Sequence, residues 1–237
     1  PDGVTLIGDS AFKMCEGITH ITIPDSVVSI DDWAFGLCTK LTSINIPNGI
    51  TSIGFMIFFG CDNLENITVD KGNKVYHSDG NCIIKTADKE LVVGCKNSLI
   101  QSNGSVTSIG VSAFYGCRGL TSITIPDSVA SIGWWAFDGC THLTINCYKD
   151  SEAYRYAVSH NIPYCLIKDN TFAPDAPAVA TKTYNTVVLI AVEGYEYSTD
   201  GKVWQKSNVF TGLSEDTEYT FYQRIAETNT TYASESS

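Results

Sequence analysis

One sequence pattern returns every 23 residues along this chain, and that periodicity restricts it to a stacked architecture. The pattern Ile-Gly-x-x-Ala-Phe-x-x-Cys, followed by Leu-Thr-x-Ile-x-Ile-Pro, begins with few departures at Ile7, Ile30, Ile53, Ile109 and Ile132. A fixed period in this range marks supersecondary units that cannot bury their apolar faces alone and therefore stack on one another. The sequence predicts a solenoid, and we expect its function to lie on a surface.

Each repeat combines a strand with a compact apolar segment. Alternation in the Leu-Thr-x-Ile-x-Ile stretch predicts a strand, with Leu41, Ile44 and Ile46 facing the core in the second repeat. In the Ala-Phe-x-x-Cys stretch, spacings of three and four predict a helical turn that packs phenylalanine and cysteine inward. The two predicted columns are Phe12, Phe35, Phe58, Phe114 and Phe137, and Cys15, Cys38, Cys61, Cys117 and Cys140.

The repeat is interrupted between residues 70 and 106. Residues 82–85 and 91–94 have the composition of two strands around a turn, which predicts one enlarged repeat with a hairpin insertion. An ordinary irregular coil is one interpretation of this insertion, because insertions in repeats map to loops. The alternative is that Tyr76, His77 and Asp79 contact a ligand there.

A different organisation follows the last repeat. Residues 151–160 predict an amphipathic helix with Tyr154, Ala157 and Val158 facing inward, within a cap at 148–167 that shields the last coil. An abrupt change in composition predicts a linker at 168–177. Short strands separated by turn signals such as Asp200-Gly201 then predict a small antiparallel β-sandwich over residues 178–237.

The repeats resemble the BspA-like leucine-rich repeats of surface proteins from bacteria and some protists. Ala-Phe-x-x-Cys, Ile-x-Ile-Pro and the 23-residue step recur together over residues 1–167. The resemblance implies a mainly β, right-handed leucine-rich-repeat solenoid with short helical turns. The position after the strand departs from commoner leucine-rich repeats, because Ser26, Gly49 and Ser128 replace the expected asparagine. A buried asparagine ladder should therefore be absent.

The beginning of the chain also fits the repeat. Pro1 aligns with Pro24, in the middle of a repeat, so we expect a fragment that was cut from a longer array or trimmed of its leader.

Residues 176–237 resemble fibronectin type III modules. Leu213 and Tyr219 match the leucine and corner tyrosine before the sixth strand, which implies a tyrosine hydroxyl that reaches back to the backbone. The phrase Gly-Tyr-Glu-Tyr-Ser-Thr-Asp-Gly, with Trp204 close behind, is similar to small modules of Gram-positive wall proteins.

Nine cysteines raise the question of disulfides or a metal site. Stacked coils lie about 4.7–4.9 Å apart with parallel side chains, whereas a disulfide needs β-carbons about 3.5–4.5 Å apart that face each other. We therefore expect the five column cysteines to remain buried thiols. Bridges are worth testing only for Cys82 with Cys95 and for Cys147 with Cys165. Zinc is disfavoured because no pair has the short C-x₂₋₄-C spacing.

Charge and composition exclude several classes of partner. Fifteen basic and 26 acidic residues give a net charge of −11 without a basic cluster, so nucleic acid and anionic lipid are poor partners. No apolar run is long enough for a membrane span, and we expect no membrane insertion in this fragment.

A catalytic constellation is also missing from the sequence. A nucleophile needs a base within hydrogen-bond reach, and the four histidines, His20, His77, His142 and His160, fall on separate elements. We predict no enzyme activity, no catalytic, cofactor-binding or metal-binding residue, and no cofactor.

Two surfaces are candidates for binding. The positions before Ala-Phe carry large apolar side chains, which either cover the core edge or form an exposed interaction patch. We call this candidate set the aromatic surface: Trp33, Phe55, Met56, Phe59, Tyr115, Trp134 and Trp135. The second set, the strand face, carries short polar side chains: His20, Thr22, Ser43, Asn45, Asn66, Thr68, Ser122, Thr124 and Asn146.

These observations predict a non-enzymatic recognition module. The family resemblance implies a bacterial protein that is extracellular, at the cell surface or in the cell wall, with a solenoid that binds a protein or glycan ligand on a host or neighbouring cell. The fibronectin-like module would act as a spacer, and we expect a monomer. One alternative is a glycan-binding accessory module of a larger secreted enzyme, with Trp33, Trp134 and Trp135 as its platform. A plain structural stalk without a ligand is another.

Overall fold

Short strands recur at the period of the sequence repeat in the computed structural model, which describes residues 3–167, 174–228, 233–234 and 236. Pro1, most of the predicted linker at 168–177 and parts of the last stretch lie outside the described residues. The contacts divide the chain into two units, Pro1–Cys165 and Leu166–Ser237.

Up to residue 166, one residue past the first unit, the chain contains fourteen described strands and one described helix. They are β1 (Leu6–Ile7), β2 (His20–Ile21), β3 (Ser29–Ile30), β4 (Ser43–Ile46), β5 (Ser52–Ile53), β6 (Asn66–Val69), β7 (Tyr76–Asp79), β8 (Cys82–Lys85), β9 (Glu90–Val93), β10 (Ser108–Ile109), β11 (Ser122–Thr124), β12 (Ser131–Ile132), β13 (Thr144–Cys147), α1 (Glu152–Ser159) and β14 (Tyr164–Leu166).

Parallel strands stack in the register of the repeat. The sheet β2-β4-β6 pairs His20 with Ser43 and Ser43 with Asn66, and the sheet β1-β3-β5 pairs Ile7 with Ile30. Equivalent residues of successive coils therefore lie side by side. This arrangement confirms the predicted mainly β solenoid, which has about seven turns.

The phenylalanine column forms the core, as predicted. Phe35, Phe58, Phe114 and Phe137 are buried, and Phe12 is half-buried at the first coil. The ring of Phe35 stacks on Phe12 at 5.5 Å between centroids and on Phe58 at 5.8 Å. Offset stacking at such distances adds to the stabilisation from burial.

The Ala-Phe-x-x-Cys stretch does not form the predicted helical turn. Consecutive β-turns replace it, closed by hydrogen bonds such as Gly36 N to Trp33 O and Cys38 N to Phe35 O. The intervening N–H groups bond to the next coil instead, as Phe35 N does to Ile57 O at 3.0 Å. The spacing was misleading because these bonds between coils take the donors that a helix would use within the chain.

These turns place residues other than glycine in the left-handed region. One column has φ between 54° and 58°, a conformation that disfavours bulky side chains. Its members are Ser10, Trp33, Met56, Ser112 and Trp135. Because serines share the geometry with tryptophans, the turn itself requires this conformation.

All nine cysteines are free thiols in the structure, including the two pairs considered for bridges. Cys38 and Cys61 are buried, whereas Cys15, Cys117 and Cys140 are half-buried. The prediction that all five column cysteines are buried was therefore wrong for three of them. Cys165 is exposed.

The enlarged repeat carries a hairpin in its own sheet, ordered β12-β10-β9-β8-β7. Strands β7, β8 and β9 are antiparallel, and β9 pairs in parallel with β10. Tyr76 is buried, His77 Nδ1 lies 3.0 Å from Thr86 Oγ1, and Asp79 accepts a hydrogen bond from Ser105. The fold itself thus engages the polar groups considered for a ligand.

Asn73 connects the enlarged repeat to the preceding coil. Its Nδ2 donates to the carbonyls of Pro47 (3.0 Å) and Ile50 (2.9 Å), and its Oδ1 accepts from the N–H groups of Val75 and Tyr76. A single asparagine therefore satisfies four backbone groups.

At the position after the strand, where commoner leucine-rich repeats carry an asparagine, serine side chains connect neighbouring coils. Ser26 donates to Val4 O at 2.8 Å, and Ser128 donates to Val106 O at 3.2 Å.

Helix α1 packs against β12 and β13. Its N-cap is Ser151, whose Oγ accepts from Tyr154 N and so satisfies a free donor of the first turn. Ala153, Tyr156 and Ala157 are buried. Tyr154 is half-buried and Val158 is exposed, so the predicted inward face was misassigned by part of a turn.

The second unit contains two described antiparallel sheets. Its strands are β15 (Val179–Lys182), β16 (Thr186–Leu189), β17 (Tyr195–Ser198), β18 (Val209–Thr211) and β19 (Tyr222–Ile225). Strand β16 lies between β15 and β18, and β17 pairs with β19. Tyr197 is buried, and its hydroxyl accepts from Val192 N at 2.7 Å.

Candidate functional site

Three members of the aromatic surface form a row across neighbouring coils. The rings of Trp33 and Phe59 lie 4.8 Å apart, and those of Phe59 and Tyr115 lie 5.6 Å apart. All three residues are half-buried, and the Nζ of Lys13 lies 4.3 Å from the Trp33 ring centroid. We call Trp33, Phe59 and Tyr115 the aromatic row. It becomes continuous because the enlarged repeat contributes no ring between Phe59 and Tyr115.

The other large side chains of the aromatic surface are more exposed. Trp134 is 77% exposed, Phe55 56% and Trp135 51%, whereas Met56 is half-buried. Trp134 and Trp135 meet edge to face at 6.3 Å. No ring contact among the described residues joins this pair to the aromatic row, so the structure separates the aromatic surface into two parts.

The strand face is also divided. Its members on β2, β4 and β6 belong to one sheet, and those on β11 and β13 belong to another. All except the half-buried Ser43 and Asn146 are exposed. Asn45 donates to Asp70 Oδ1 at 3.0 Å and accepts from Thr68 Oγ1 at 2.8 Å. On the other sheet Asn146 donates to Thr124 Oγ1 at 3.4 Å, so part of each half of the strand face is bonded between neighbouring coils.

The described part of the chain shows no grouping of ionisable side chains typical of chemistry. It contains no cluster of three or more histidine, cysteine or acidic residues that could hold a metal ion. Burial raises the pKa of the Cys61 thiol to about 12, and burial likewise raises that of Cys140 to about 12. These two thiols are thus held protonated, which disfavours them as nucleophiles. None of the described helices has the length and apolar character for a membrane span.

A cleft lies between the last full coil and helix α1. Ile132, Gly133, Trp134 and Trp135 line one side, and Glu152, Arg155, Tyr156, Ser159 and His160 line the other. Its volume is about 490 Å³, within the range of roughly 300–1,000 Å³ of small-molecule sites. We call it the cap cleft.

Sequence reasoning found only the tryptophan side of the cap cleft. The α1 residues were treated as part of a cap, and nothing in the repeat pattern places them opposite Trp134. The available signal was the polar composition of the outer helix face, where Glu152 and Arg155 are three residues apart.

The charged groups of the cap cleft are paired. Arg155 Nε and Nη2 each lie 3.2 Å from Glu152 Oε2, and Arg155 Nη1 donates to Asp150 O at 2.7 Å. The His160 ring stacks on Tyr156 at 4.0 Å, and its Nδ1 lies 3.0 Å from Ser159 Oγ. Tyr156 is buried, and its hydroxyl has no hydrogen-bond partner among the described residues.

Comparison with solved structures supports this architecture. A leucine rich cell surface protein from Faecalibacterium prausnitzii A2-165 is 33% identical, with a TM-score of 0.51, over 61% of this chain and 39% of that chain. The pneumococcal vaccine antigen PcpA is 17% identical, with a TM-score of 0.54, over 74% of this chain and 44% of that one, and it shows the fold alone. The chain thus spans less than half the length of either protein.

Comparison with protein sequences identifies a family but no individual relative. No curated protein matches the chain. The family described as "BspA type Leucine rich repeat region (6 copies)" matches residues 1–93 and 85–158, which include the aromatic row, the strand face and most of α1. This chain therefore belongs to the BspA-type leucine-rich repeat family.

Proposed function

We propose that this chain is a non-enzymatic recognition module of a bacterial cell-surface protein, and that its solenoid binds a protein partner in adhesion to a host cell, its matrix or a neighbouring cell. The location is supported by the cell-surface description of the Faecalibacterium protein, which is 33% identical. The net charge of −11 favours a protein over nucleic acid or anionic lipid.

The aromatic row is the observation that carries this proposal. Aromatic side chains are enriched in protein interfaces, and fully desolvated aromatic anchors supply much of the binding energy. Trp33, Phe59 and Tyr115 hold one another in place while remaining half-exposed, so a partner would meet preordered rings. Little side-chain entropy would then be lost on binding.

The second unit is proposed as a spacer with a fibronectin type III-like β-sandwich. Tyr219 supports this assignment, because its hydroxyl accepts from Ser214 N at 3.0 Å, five residues upstream, as a corner tyrosine would. The Arg224–Glu196 pair joins β19 to β17 at 2.8 Å. In this proposal the solenoid comprises residues 1–167, the linker 168–177 and the spacer 178–237, in a monomeric chain.

Binding of the purified chain to immobilised extracellular-matrix proteins and to epithelial cells tests the protein-binding role. We expect Tyr115→Ser to weaken binding at least about tenfold, in line with the loss of an interface anchor, whereas Thr22→Lys on the strand face retains it. The reverse result would move the site to the strand face. If the chain binds none of these proteins and none of these cell types, the result would favour a structural stalk without a ligand.

A second candidate is a glycan-binding accessory module of a larger secreted enzyme. The exposed Trp134 indole favours it, because a large apolar side chain that is 77% exposed at the edge of a cleft has no role in the core. Trp33, by contrast, is half-buried beneath Lys13 and against Phe59 and is a poor platform.

A further inference from the structure

We propose that the cap cleft binds a neutral saccharide, which stacks on Trp134 and bonds through its hydroxyl groups to Glu152, Arg155 and His160. This inference rests on the second candidate function above, and it gives that function a site and a ligand class. It does not depend on the aromatic row.

The tryptophan side of the cleft suits one face of a sugar ring. The face of an indole is electronegative, whereas the C–H groups of a pyranose present a weakly positive, apolar face. Trp134 is 77% exposed, and its edge-to-face contact with Trp135 fixes the pair without covering either ring completely. The two indoles therefore offer a preordered apolar wall.

The helix side supplies donors and acceptors close together. Glu152 accepts hydrogen bonds, and Arg155 only donates them. Because the two are joined at 3.2 Å, the donor and the acceptor are presented side by side. A hydroxyl group donates and accepts at once, so adjacent hydroxyls of a sugar match this pair better than an apolar or purely anionic ligand would.

His160 adds a third polar group. Its Nδ1 is engaged by Ser159 Oγ and Tyr156 O, each at 3.0 Å. Its Nε2 has no partner among the described residues, and the ring is held by stacking on Tyr156. In either tautomer Nε2 can bond to a hydroxyl, which is both a donor and an acceptor.

Charge favours a neutral ligand. The charges of Glu152 and Arg155 cancel within the cleft, and no further lysine, arginine or acidic residue lines it. Acidic sugars would also be repelled by the net charge of −11. A bound neutral ligand would leave the ion pair intact.

The test is a titration of the full chain with neutral oligosaccharides, beginning with an array that includes cello-, chito-, xylo- and manno-oligosaccharides beside sialylated and sulfated glycans. We expect at least one neutral oligosaccharide to bind and to change tryptophan fluorescence. Trp134→Ala should weaken that binding about tenfold or more. Glu152→Gln should weaken it severalfold, because one acceptor oxygen becomes an amide donor and the ion pair that holds Arg155 is lost.

Matched variants locate the site. Trp204→Phe removes an indole outside the cap cleft and should leave the affinity unchanged, while a thermal melt verifies that each variant is folded. Equal affinity in Trp134→Ala and the parent would overturn the site but leave glycan binding in place. If no neutral glycan on the array binds, both the site and the ligand class are overturned. A preference for acidic glycans would overturn the ligand class. Binding of matrix protein that is lost in Tyr115→Ser but kept in Trp134→Ala would be an independent result.

Discussion

The Sγ of Cys61 donates to the carbonyl oxygen of Phe35, 26 residues earlier in the preceding coil, at 3.1 Å. Cys38 makes the equivalent bond to Phe12 O, and Cys140 makes it to Phe114 O, both at 3.1 Å. The cysteine column is therefore more than apolar filling, because three of its thiols donate a second hydrogen bond to carbonyls that already accept the N–H closing their own turn. Removal of a thiol should cost both a packing contact and a hydrogen bond.

Phe35→Ala tests the buried column. Phe35 is completely buried between Phe12 and Phe58, so the loss of its ring should lower the free energy of unfolding by about 3–5 kcal/mol. Thr42→Ala is the matched surface change, and we expect about 0.5 kcal/mol because its hydroxyl bond to Thr19 O is exposed. Urea denaturation measures both, and similar losses would contradict the assigned register.

Thiol labelling of the folded chain should follow exposure. Cys165 is exposed and should react first with a maleimide, whereas buried Cys38 should be protected until the solenoid unfolds. Mass spectrometry of tryptic peptides after short labelling measures each site. Cys165→Ser should abolish the fast phase, and fast modification of Cys38 would show that the column is misplaced.

Alkaline pH should destabilise the solenoid. Burial raises the pKa of Cys61 from the ordinary value of 9.0 to about 12, so the folded state holds this proton more tightly than the unfolded state. The resulting stabilisation is fully present below pH about 9 and is lost as the pH rises toward about 12. Urea denaturation at several pH values between these limits measures the slope.

Variants identify the source of this pH dependence. Cys61→Ala should flatten the decline, while Cys165→Ser, which removes an exposed thiol, should leave it unchanged. An identical slope in the parent and Cys61→Ala would argue that other groups dominate.

Asn73→Asp is a nearly isosteric test of the connection between coils. The change replaces a donor to Pro47 O and Ile50 O with an oxygen, and a carboxylate would then face two carbonyls. We expect a loss of about 2–4 kcal/mol, since two hydrogen bonds become repulsive contacts. Asn66→Asp, at an exposed position of β6, is the control, with an expected loss of about 0.5 kcal/mol or less by urea denaturation.

The strands and the phenylalanine column were predictable because the 23-residue step fixes which residues stack. Ile44 and Ile46 alternate with Ser43 and Asn45 on β4, and both are buried as expected. Leu41, two residues before the strand, is also buried as expected, but it lies outside this alternation. The local sequence was sufficient here, since burial on one face of a strand leaves a clear period of two.

The turns and the cap cleft could not be predicted in the same way. Trp33 and Trp135 adopt φ values of 57° and 58° without any glycine at those positions to signal a left-handed conformation. The cap cleft depends on how α1 is seated over β12, a relationship between segments about 20 residues apart that no local period encodes. Val158 was misassigned for the same reason, because only the seating of the helix decides which flank of its apolar stripe is covered.

The parallel register has a consequence for how such a protein can change in length. Because β4 presents Ser43 both to His20 on one side and to Asn66 on the other, a chain lacking one complete coil could bring His20 directly against Asn66 with every later pairing preserved. Loss or gain of a fraction of a coil would instead shift each following side chain to a wrong neighbour. Viable insertions and deletions in this stretch are thus quantised in whole coils, and recombination between repeats can lengthen or shorten the array without redesigning it.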